Sequence, residues 1–279
     1  MRAQSLKPID LGSSVETSLP SNAIYIQGFG HEATEDVGRI AAALLPLPPE
    51  GDVSQVLGLL LKDEGDDVDV TTKLHVCAGD LPTHWPTPNL AIFLADSAAL
   101  SHQAMMLRSM AGLGAECLCL VLCCSHADRD SLYTTLSAAM PVRLALLTLQ
   151  STDPLARVWL SCGVVNSLYR SMICLDFADL LSVLSGKGVA YWRHEEQCCG
   201  VTSRSDSTDA IALPESISGV FYGRIAGADL SIDNFLHDVG VDLSTWLEDD
   251  DVEHALVLAA LNDAKRKRGH GSFVLSTGV

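Results

Sequence analysis

Three apolar runs, separated by stretches of helical periodicity, constrain the fold more than any other feature of this chain. They are NLAIFLAD, ECLCLVLCC and VRLALLTL, at residues 89–96, 116–124 and 142–149. Strands that are apolar on both sides are typical of parallel sheets covered by helices on both faces. Helical patterns across residues 99–112 and 127–140 lie between the runs. The alternation predicts an α/β domain built on a parallel sheet.

A glycine turn opens the same pattern near the N-terminus. The segment AIYIQGFGHEATEDVGRIAAALLP, residues 23–46, predicts a buried strand, a tight turn through Gly28 and Gly30, and a helix. Backbone N–H groups at a helix N-terminus attract anions, so such a turn is compatible with an anion site.

After residue 173 the regular alternation of strands and helices ends, which indicates more than one domain. The prediction is a flexible polar arm at residues 1–21, an α/β domain at 22–152, a long central helix at 153–172 and a smaller α+β domain at 173–279. The long helix is expected to lie between two separate cores. The strand at 273–279 is expected to pair centrally in the smaller domain.

Composition and charge limit the classes of partner. The formal net charge is −17, and non-specific nucleic-acid binding requires an excess of Lys and Arg, so no nucleic acid is expected. The basic run at residues 265–268 is interpreted as a solvated loop. No stretch approaches the roughly 20 apolar residues of a membrane helix, and the N-terminus has no apolar signal core. The protein is expected to be cytoplasmic, with no membrane span.

The nine cysteines are interpreted as reduced, mostly structural residues. Most lie inside apolar runs, where a thiol behaves as a small hydrophobic group. Zinc sites use closely spaced pairs such as CxxC on turns, and the sequence contains none, so no metal site is predicted. The adjacent Cys198 and Cys199 begin a polar stretch, residues 198–216, that is predicted to be a loop, and the sequence assigns them no role.

Three motifs follow one another in the second half of the chain. They are CLDFADLLSVLSGKGVA at 174–190, GVFYGRIAGADLSIDNFLHDV at 219–239, and the pair HALVLAALND and SFVLSTGV at 254–263 and 272–279. In order and spacing they resemble the catalytic loop and helix, the strand–turn–helix and the closing strand pair of FtsZ, the bacterial relative of tubulin. The chain thus resembles a divergent member of the FtsZ/tubulin superfamily, which implies a Rossmann-like domain, a long central helix and a smaller α+β domain.

The first half shares only the layout of that family, and its nucleotide site looks degenerate. FtsZ holds GTP with a glycine-rich first loop and a second glycine loop that opens a helix. At the first loop Gly28 and Gly30 are present, and the resemblance makes them candidate cofactor-binding residues, although Glu32 adds negative charge there. At the second loop Asp96 follows the strand and no glycine remains. Like charges repel a phosphate. Normal GTP binding is therefore predicted to be lost, with no cofactor expected, and GTP with Mg²⁺ only if the site still functions.

Asp176 and Asp179 match the two acidic residues of the loop that, in FtsZ filaments, reaches the nucleotide of the next subunit and positions water. Cys174 stands where the family has Asn, and a thiol does not replace an amide. The carboxylates could still orient a water or a Mg²⁺ shell, or they could cap the following helix. Asp153 falls near the family's guanine-contacting Asp, although an acid at a helix N-terminus explains it equally well.

Three hypotheses about function follow from these observations. The first is a subunit or regulator that binds no GTP and acts through filament-type contacts with an FtsZ-like protein or with itself; it would not be an enzyme. The second is a divergent, polymerising GTPase of the FtsZ type. The third is an NAD-binding enzyme, because GFGHEA at residues 28–33 fits the dinucleotide pattern GxGxxA. The acidic residue expected about 20 residues later falls in a Pro-Gly loop with no strand before it, which ranks this reading last.

Overall fold

The long apolar runs become the centre of one large sheet. The computed structural model describes residues 23–44, 59–61, 72–77, 88–123, 129–140, 142–151, 153–194, 196–198, 201–203, 217–227, 230–244, 255–262 and 271–278. The strands are β1 Ala23–Phe29, β2 Leu59–Leu61, β3 Thr72–Cys77, β4 Leu90–Ala95, β5 Leu118–Cys123, β6 Arg143–Gln150, β7 Gly186–His194, β8 Glu196–Cys198, β9 Val201–Ser203, β10 Ile217–Ala226, β11 Ala255–Asn262 and β12 Gly271–Gly278. The helices are α1 His31–Leu44, α2 Gln103–Met110, α3 Arg129–Ala139, α4 Ala156–Arg170, α5 Phe177–Val183 and α6 Ile232–Asp242.

Ten strands pair in the order β11-β10-β12-β7-β6-β5-β4-β1-β3-β2. The run from β3 to β7 is parallel throughout, whereas β12 is antiparallel to both of its neighbours. The predicted mixed α/β class is confirmed. The central position of β12 among the C-terminal strands is confirmed as well, since it lies between β10 and β7.

Side chains of β4 show why the central strands are apolar on both sides. Leu90, Ile92 and Leu94 belong to the core under α1 and α4, whereas Phe93 packs on the opposite face with the side chains of α2 and α3. Burial on both faces leaves no place for a polar alternation. The neighbouring β5 is buried along its whole length, and its Cys119 and Cys123 behave as core residues, as predicted.

The hairpin of β8 and β9 is one place where the sequence interpretation was wrong. Residues 198–216 were expected to form a polar loop, but Cys198 pairs with Val201 and Glu196 with Ser203 in a short antiparallel ladder. The segment lacks the apolar alternation that identifies a half-buried strand, so its pairing gives no signal in the sequence.

The long helix does not separate two cores. The side chains of α4 pack in a single cluster that contains Ile24 of β1 and Phe273 of β12. In its first turn Arg157 donates to the Ala95 carbonyl of β4, and just past its end Ser171 bridges Leu261 of β11. The core is therefore continuous on this face, and the α2–α3 and α6 faces have clusters of their own. The domain boundaries remain a prediction.

Candidate functional site

The order of the strands indicates where a ligand site would lie. After β1 the chain forms β2 and β3 on one side of β1, and it then crosses to form β4 on the other side. The connections therefore diverge between β1 and β4. In open α/β sheets the crevice at the carboxyl ends of such strands is the usual ligand site. Here that crevice lies between Phe29 and Gly30 at the end of β1 and Ala95 and Asp96 at the end of β4.

Gly28 and Gly30 both lie at this crevice, but both are in close contact with the protein. A Cβ on Gly28 would lie 2.5 Å from the Ala33 carbonyl oxygen in the first turn of α1. A Cβ on Gly30 would lie 1.7 Å from Oδ2 of Asp96, and the φ of Gly30 is 98°. The two glycines are thus required by close packing and backbone conformation, whether or not a phosphate ever approaches them.

The carboxylate of Asp96 sits over the glycine turn. Its backbone N–H donates to the Phe29 carbonyl at 3.3 Å, which joins the ends of β4 and β1. Its Oδ1 accepts from the Ala98 backbone N–H at 3.0 Å and lies 3.3 Å from His102 Nε2. The side chain is 15% exposed. Asp96 therefore places a well-held carboxylate where an anionic ligand would need a donor.

Arg157, in the first turn of α4, has both Nη atoms of its guanidinium in contact with acceptors of the protein. Nη1 donates to the Ala95 carbonyl at 3.1 Å, and Nη2 lies 2.8 Å from Oδ2 of Asp36 and 3.7 Å from Oε2 of Glu32. Asp36 in turn holds Arg39, whose Nη1 is 2.7 Å from Oδ1. The side chain of Asp36 is 1% exposed and that of Arg157 is 8% exposed. The charge of Arg157 is therefore balanced inside the protein by the charge of Asp36.

Sequence reasoning missed this cluster, although a signal for it exists. Asp36 lies on the buried face of α1, together with the apolar residues Ala33, Val37 and Ile40. A charged residue on an apolar helical face is rarely buried without a partner, so the position itself indicates an internal ion pair. The partner, Arg157, is far along the chain, and no local pattern identifies it.

Asp153 lies apart from the glycine turn, and its predicted role in holding a nucleotide stays a prediction. It precedes α4 at the end of β6, three strands from β1, which is roughly 14 Å at the usual strand spacing. Its Oδ1 accepts from the Leu155 backbone N–H at 2.8 Å, and its Oδ2 accepts from the indole N–H of Trp192 at 3.0 Å. Both oxygens thus tie the start of α4 to β7.

The acidic loop forms a helix cap. Asp176 is the N-cap of α5: its Oδ1 accepts from the Asp179 backbone N–H, while Oδ2 of Asp179 accepts from the Asp176 backbone N–H, both at 2.9 Å. This reciprocal pair is a capping box. The helix begins where the sequence predicts, and the cap accounts for one oxygen of each carboxylate. A role at an interface remains a hypothesis.

The loop before α5 is fastened to the edge of the sheet. The backbone N–H of Met172 donates to the Ala260 carbonyl of β11 at 2.7 Å, and the hydroxyl of Ser171 accepts from the Ala260 N–H at 3.1 Å. Cys174 and Asp176 are exposed. Met172 is exposed as well, with a relative exposure of 46%. The loop is therefore held in place with polar and apolar groups presented to solvent.

The crevice and the loop lie in different parts of the sheet. β11, which holds the loop, and β4 are six strand spacings apart in the sheet order, roughly 29 Å. One molecule cannot bring Asp176 to the turn at Gly30. A joint site would need two molecules.

Two features are absent from the described residues: a cluster of metal ligands and a membrane-spanning helix. No group of three or more His, Cys, Asp or Glu side chains among them is arranged to hold a metal ion. None of their helices is both long and apolar enough to cross a membrane.

Comparisons with known proteins identify the fold. No family profile and no curated protein matches the sequence. Among solved structures, the W319Y mutant of FtsZ from M. jannaschii matches with a TM-score of 0.56 over 93% of this chain and 91% of that one. This chain has an FtsZ-like fold. The sequence identity is 13%, so the likeness concerns the fold alone.

Proposed function

We propose that this protein is a cell-division or cytoskeletal subunit of the FtsZ/tubulin type that binds no GTP and acts through filament-type contacts with an FtsZ-like protein or with its own copies. The fold and the sequence motifs support the class. The occupied crevice supports the absence of nucleotide, and the solvent-facing loop at residues 171–176 supports the contact surface.

One observation carries the proposal: the carboxylate of Asp96 lies against Gly30. A phosphate approaching the turn would meet the negative charge of this carboxylate and of Glu32, which is 74% exposed. The Arg157 guanidinium beneath is already held by Asp36 and the Ala95 carbonyl. Repulsion between like charges a few ångströms apart outweighs the hydrogen bonds that the remaining backbone N–H groups of a helix N-terminus can offer.

Calorimetric titration of the whole chain with GTP and Mg²⁺ tests this directly. We expect no heat of binding at physiological nucleotide concentration. An Asp96→Gly variant, which removes the carboxylate from the turn, is the informative comparison. Glu116→Gln, which alters an exposed acid just before β5, at the opposite edge of the sheet from the crevice, is the control. A dissociation constant in the low micromolar range for the wild type, about −8 kcal/mol, would overturn the proposal in favour of a GTP-binding, polymerising GTPase.

The contact surface needs a separate experiment. A subunit with a working loop face and no nucleotide of its own can join the nucleotide-bearing end of an FtsZ-like filament, but it offers the next subunit no nucleotide to bridge. Head-to-tail assemblies grow only when both faces engage. Mixed substoichiometrically with the FtsZ of its own organism, the protein is expected to lower polymer mass, measured by light scattering, and phosphate release.

The variant Asp176→Asn separates the cap from the contact. Asn is as good an N-cap as Asp, so α5 should remain folded while the charge is lost. We expect the effect on FtsZ assembly to weaken in this variant although its thermal stability is retained. If the wild type changes neither polymer mass nor phosphate release, the proposed contact does not exist. If Asp176→Asn acts like the wild type, the carboxylate serves the helix alone.

A further inference from the structure

Two arginines converge on one buried carboxylate beside the crevice. Arg39 Nη1 donates a hydrogen bond to Oδ1 of Asp36 at 2.7 Å, and Arg157 Nη2 forms an ion pair with Oδ2 at 2.8 Å without hydrogen-bond geometry, so each oxygen faces a different guanidinium. Paired guanidinium groups are the means by which proteins bind carboxylate and phosphate ligands. In this chain the anion is a side chain of the protein itself.

The carboxylate connects three elements at the end of the sheet. Asp36 and Arg39 belong to α1 and Arg157 to α4, and the same Arg157 guanidinium donates to the Ala95 carbonyl at the end of β4. Glu32, one turn before Asp36, approaches Arg157 to 3.7 Å from the solvent side. Removing one member of such a buried set leaves an unpaired charge, which is strongly destabilising.

We propose that Arg39 and Arg157 form an anion-binding site, suited to a carboxylate or phosphate group, that the chain fills with its own Asp36. The internal anion holds α1, α4 and the end of β4 together without an external ligand. The inference deepens the proposed function, on which it rests: an end of the sheet that carries its own anion does not depend on the phosphates of a nucleotide.

Chemical replacement of the carboxylate tests the site. Asp36→Ala deletes only the carboxylate, and formate is that same group as a free anion. We expect the variant to melt roughly 10 °C below the wild type in chloride buffer. Rising formate at constant ionic strength should recover much of this difference in the variant while leaving the melting temperature of the wild type unchanged. Inorganic phosphate is the second probe and should act in the same direction.

Two control variants make the result specific. Glu35→Ala removes a neighbouring carboxylate that also approaches Arg39, at 3.4 Å, but Glu35 is 52% exposed. Formate should have no effect on it, because water already replaces an exposed carboxylate. The double variant Asp36→Ala/Arg157→Ala lacks one guanidinium, so formate should no longer raise its melting temperature.

Each outcome decides the matter. If Asp36→Ala does not fold in chloride, formate-dependent recovery of a cooperatively melting protein supports the site, and no recovery overturns it. If formate stabilises Glu35→Ala or the double variant as much as Asp36→Ala, the effect is general and the site is wrong. The wild-type titration with GTP is independent: GTP binding would overturn the proposed function, whereas loss of formate rescue would overturn only the internal anion.

Discussion

The crevice at the ends of β1 and β4 and the C-terminal strands β7, β10 and β12 both pack closely around glycines, but against different neighbours. At the crevice, a Cβ on Gly30 would meet the side chain of Asp96. Among the C-terminal strands, a Cβ on Gly188 would lie 1.7 Å from the Ser276 carbonyl oxygen, and one on Gly219 would lie 2.5 Å from the Val183 carbonyl oxygen. The first contact depends on one replaceable side chain, whereas the others are backbone against backbone.

The two regions also differ in how closely their sequences resemble FtsZ. Gly188 and Gly219 lie in the motifs that resemble that family, and close packing requires them irrespective of any ligand. At the end of β4, where the resemblance predicts a second glycine loop, the chain has Asp96 and the turn after it. Packing alone therefore accounts for these two glycines of the C-terminal motifs.

The largest effect is expected for Gly188→Ala. The new methyl group would overlap the Ser276 carbonyl of the paired strand β12, which cannot move without breaking the ladder between β7 and β12. We expect a loss of about 3 kcal/mol in the free energy of unfolding, measured by urea denaturation. Gly240→Ala is the control, because a Cβ at this position in α6 meets nothing within 4 Å. It should raise stability by roughly 0.5–1 kcal/mol. A tolerated Gly188→Ala would contradict the close strand packing.

A smaller and conditional effect is expected at the crevice. Gly30→Ala adds strain at a φ of 98° and a clash with Asp96, together about 2 kcal/mol. In an Asp96→Ala background the clash is absent, so the cost should fall to about 1 kcal/mol. A double-mutant cycle measures this coupling. Gly38→Ala in α1, where a Cβ has open space, is the stabilising control. Additive effects would mean that Asp96 does not lie over the turn.

The sequence predicted regular elements better than it predicted the site. Buried strands such as β4 and β5 can be recognised in the sequence because both of their faces are apolar. The N-termini of α1 and α5 carry local signals in Gly30 and Asp176. The unexpected features are long-range. The pairing of Asp36 with Arg157 and the continuity of the core across α4 depend on the register of distant strands, which no local period encodes.

The loop before α5 gives a third, smaller expectation. Asp176→Ala removes the N-cap acceptor and should cost about 1 kcal/mol, whereas Asp176→Asn should change stability by no more than a few tenths of a kcal/mol. Asp179→Ala removes the other half of the capping box, and the two Ala substitutions should be less than additive, because each disrupts the same reciprocal pair. Thermal melts of the single and double variants measure this. Full additivity would indicate that the carboxylates act separately.

The smallest effect is expected at a surface ion pair that joins β7 to α3. Lys187 of β7 lies 3.0 Å from Oδ1 of Asp130 in α3, and its hydrogen bond and charge lower the pKa of that carboxyl group. A lowered pKa in the folded chain means that the stabilisation is fully present above the ordinary carboxyl pKa and is lost as the pH falls through the lowered value. Because Asp130 is exposed, salt should screen most of it.

Two variants separate the contributions at this pair. Lys187→Met should lower the melting temperature slightly at neutral pH and low salt, and not at all in acid, where Asp130 is protonated. Asp130→Asn should have a larger effect, since Asp130 also lies in the first turn of α3, where the helix dipole favours negative charge. The difference between the two variants is the contribution of the helix terminus together with that of Arg129, whose Nε lies 3.6 Å from Oδ1 of Asp130. The part that the two variants share is the contact between β7 and α3. Equal effects at acid and neutral pH would show that the pair contributes through packing and not through charge.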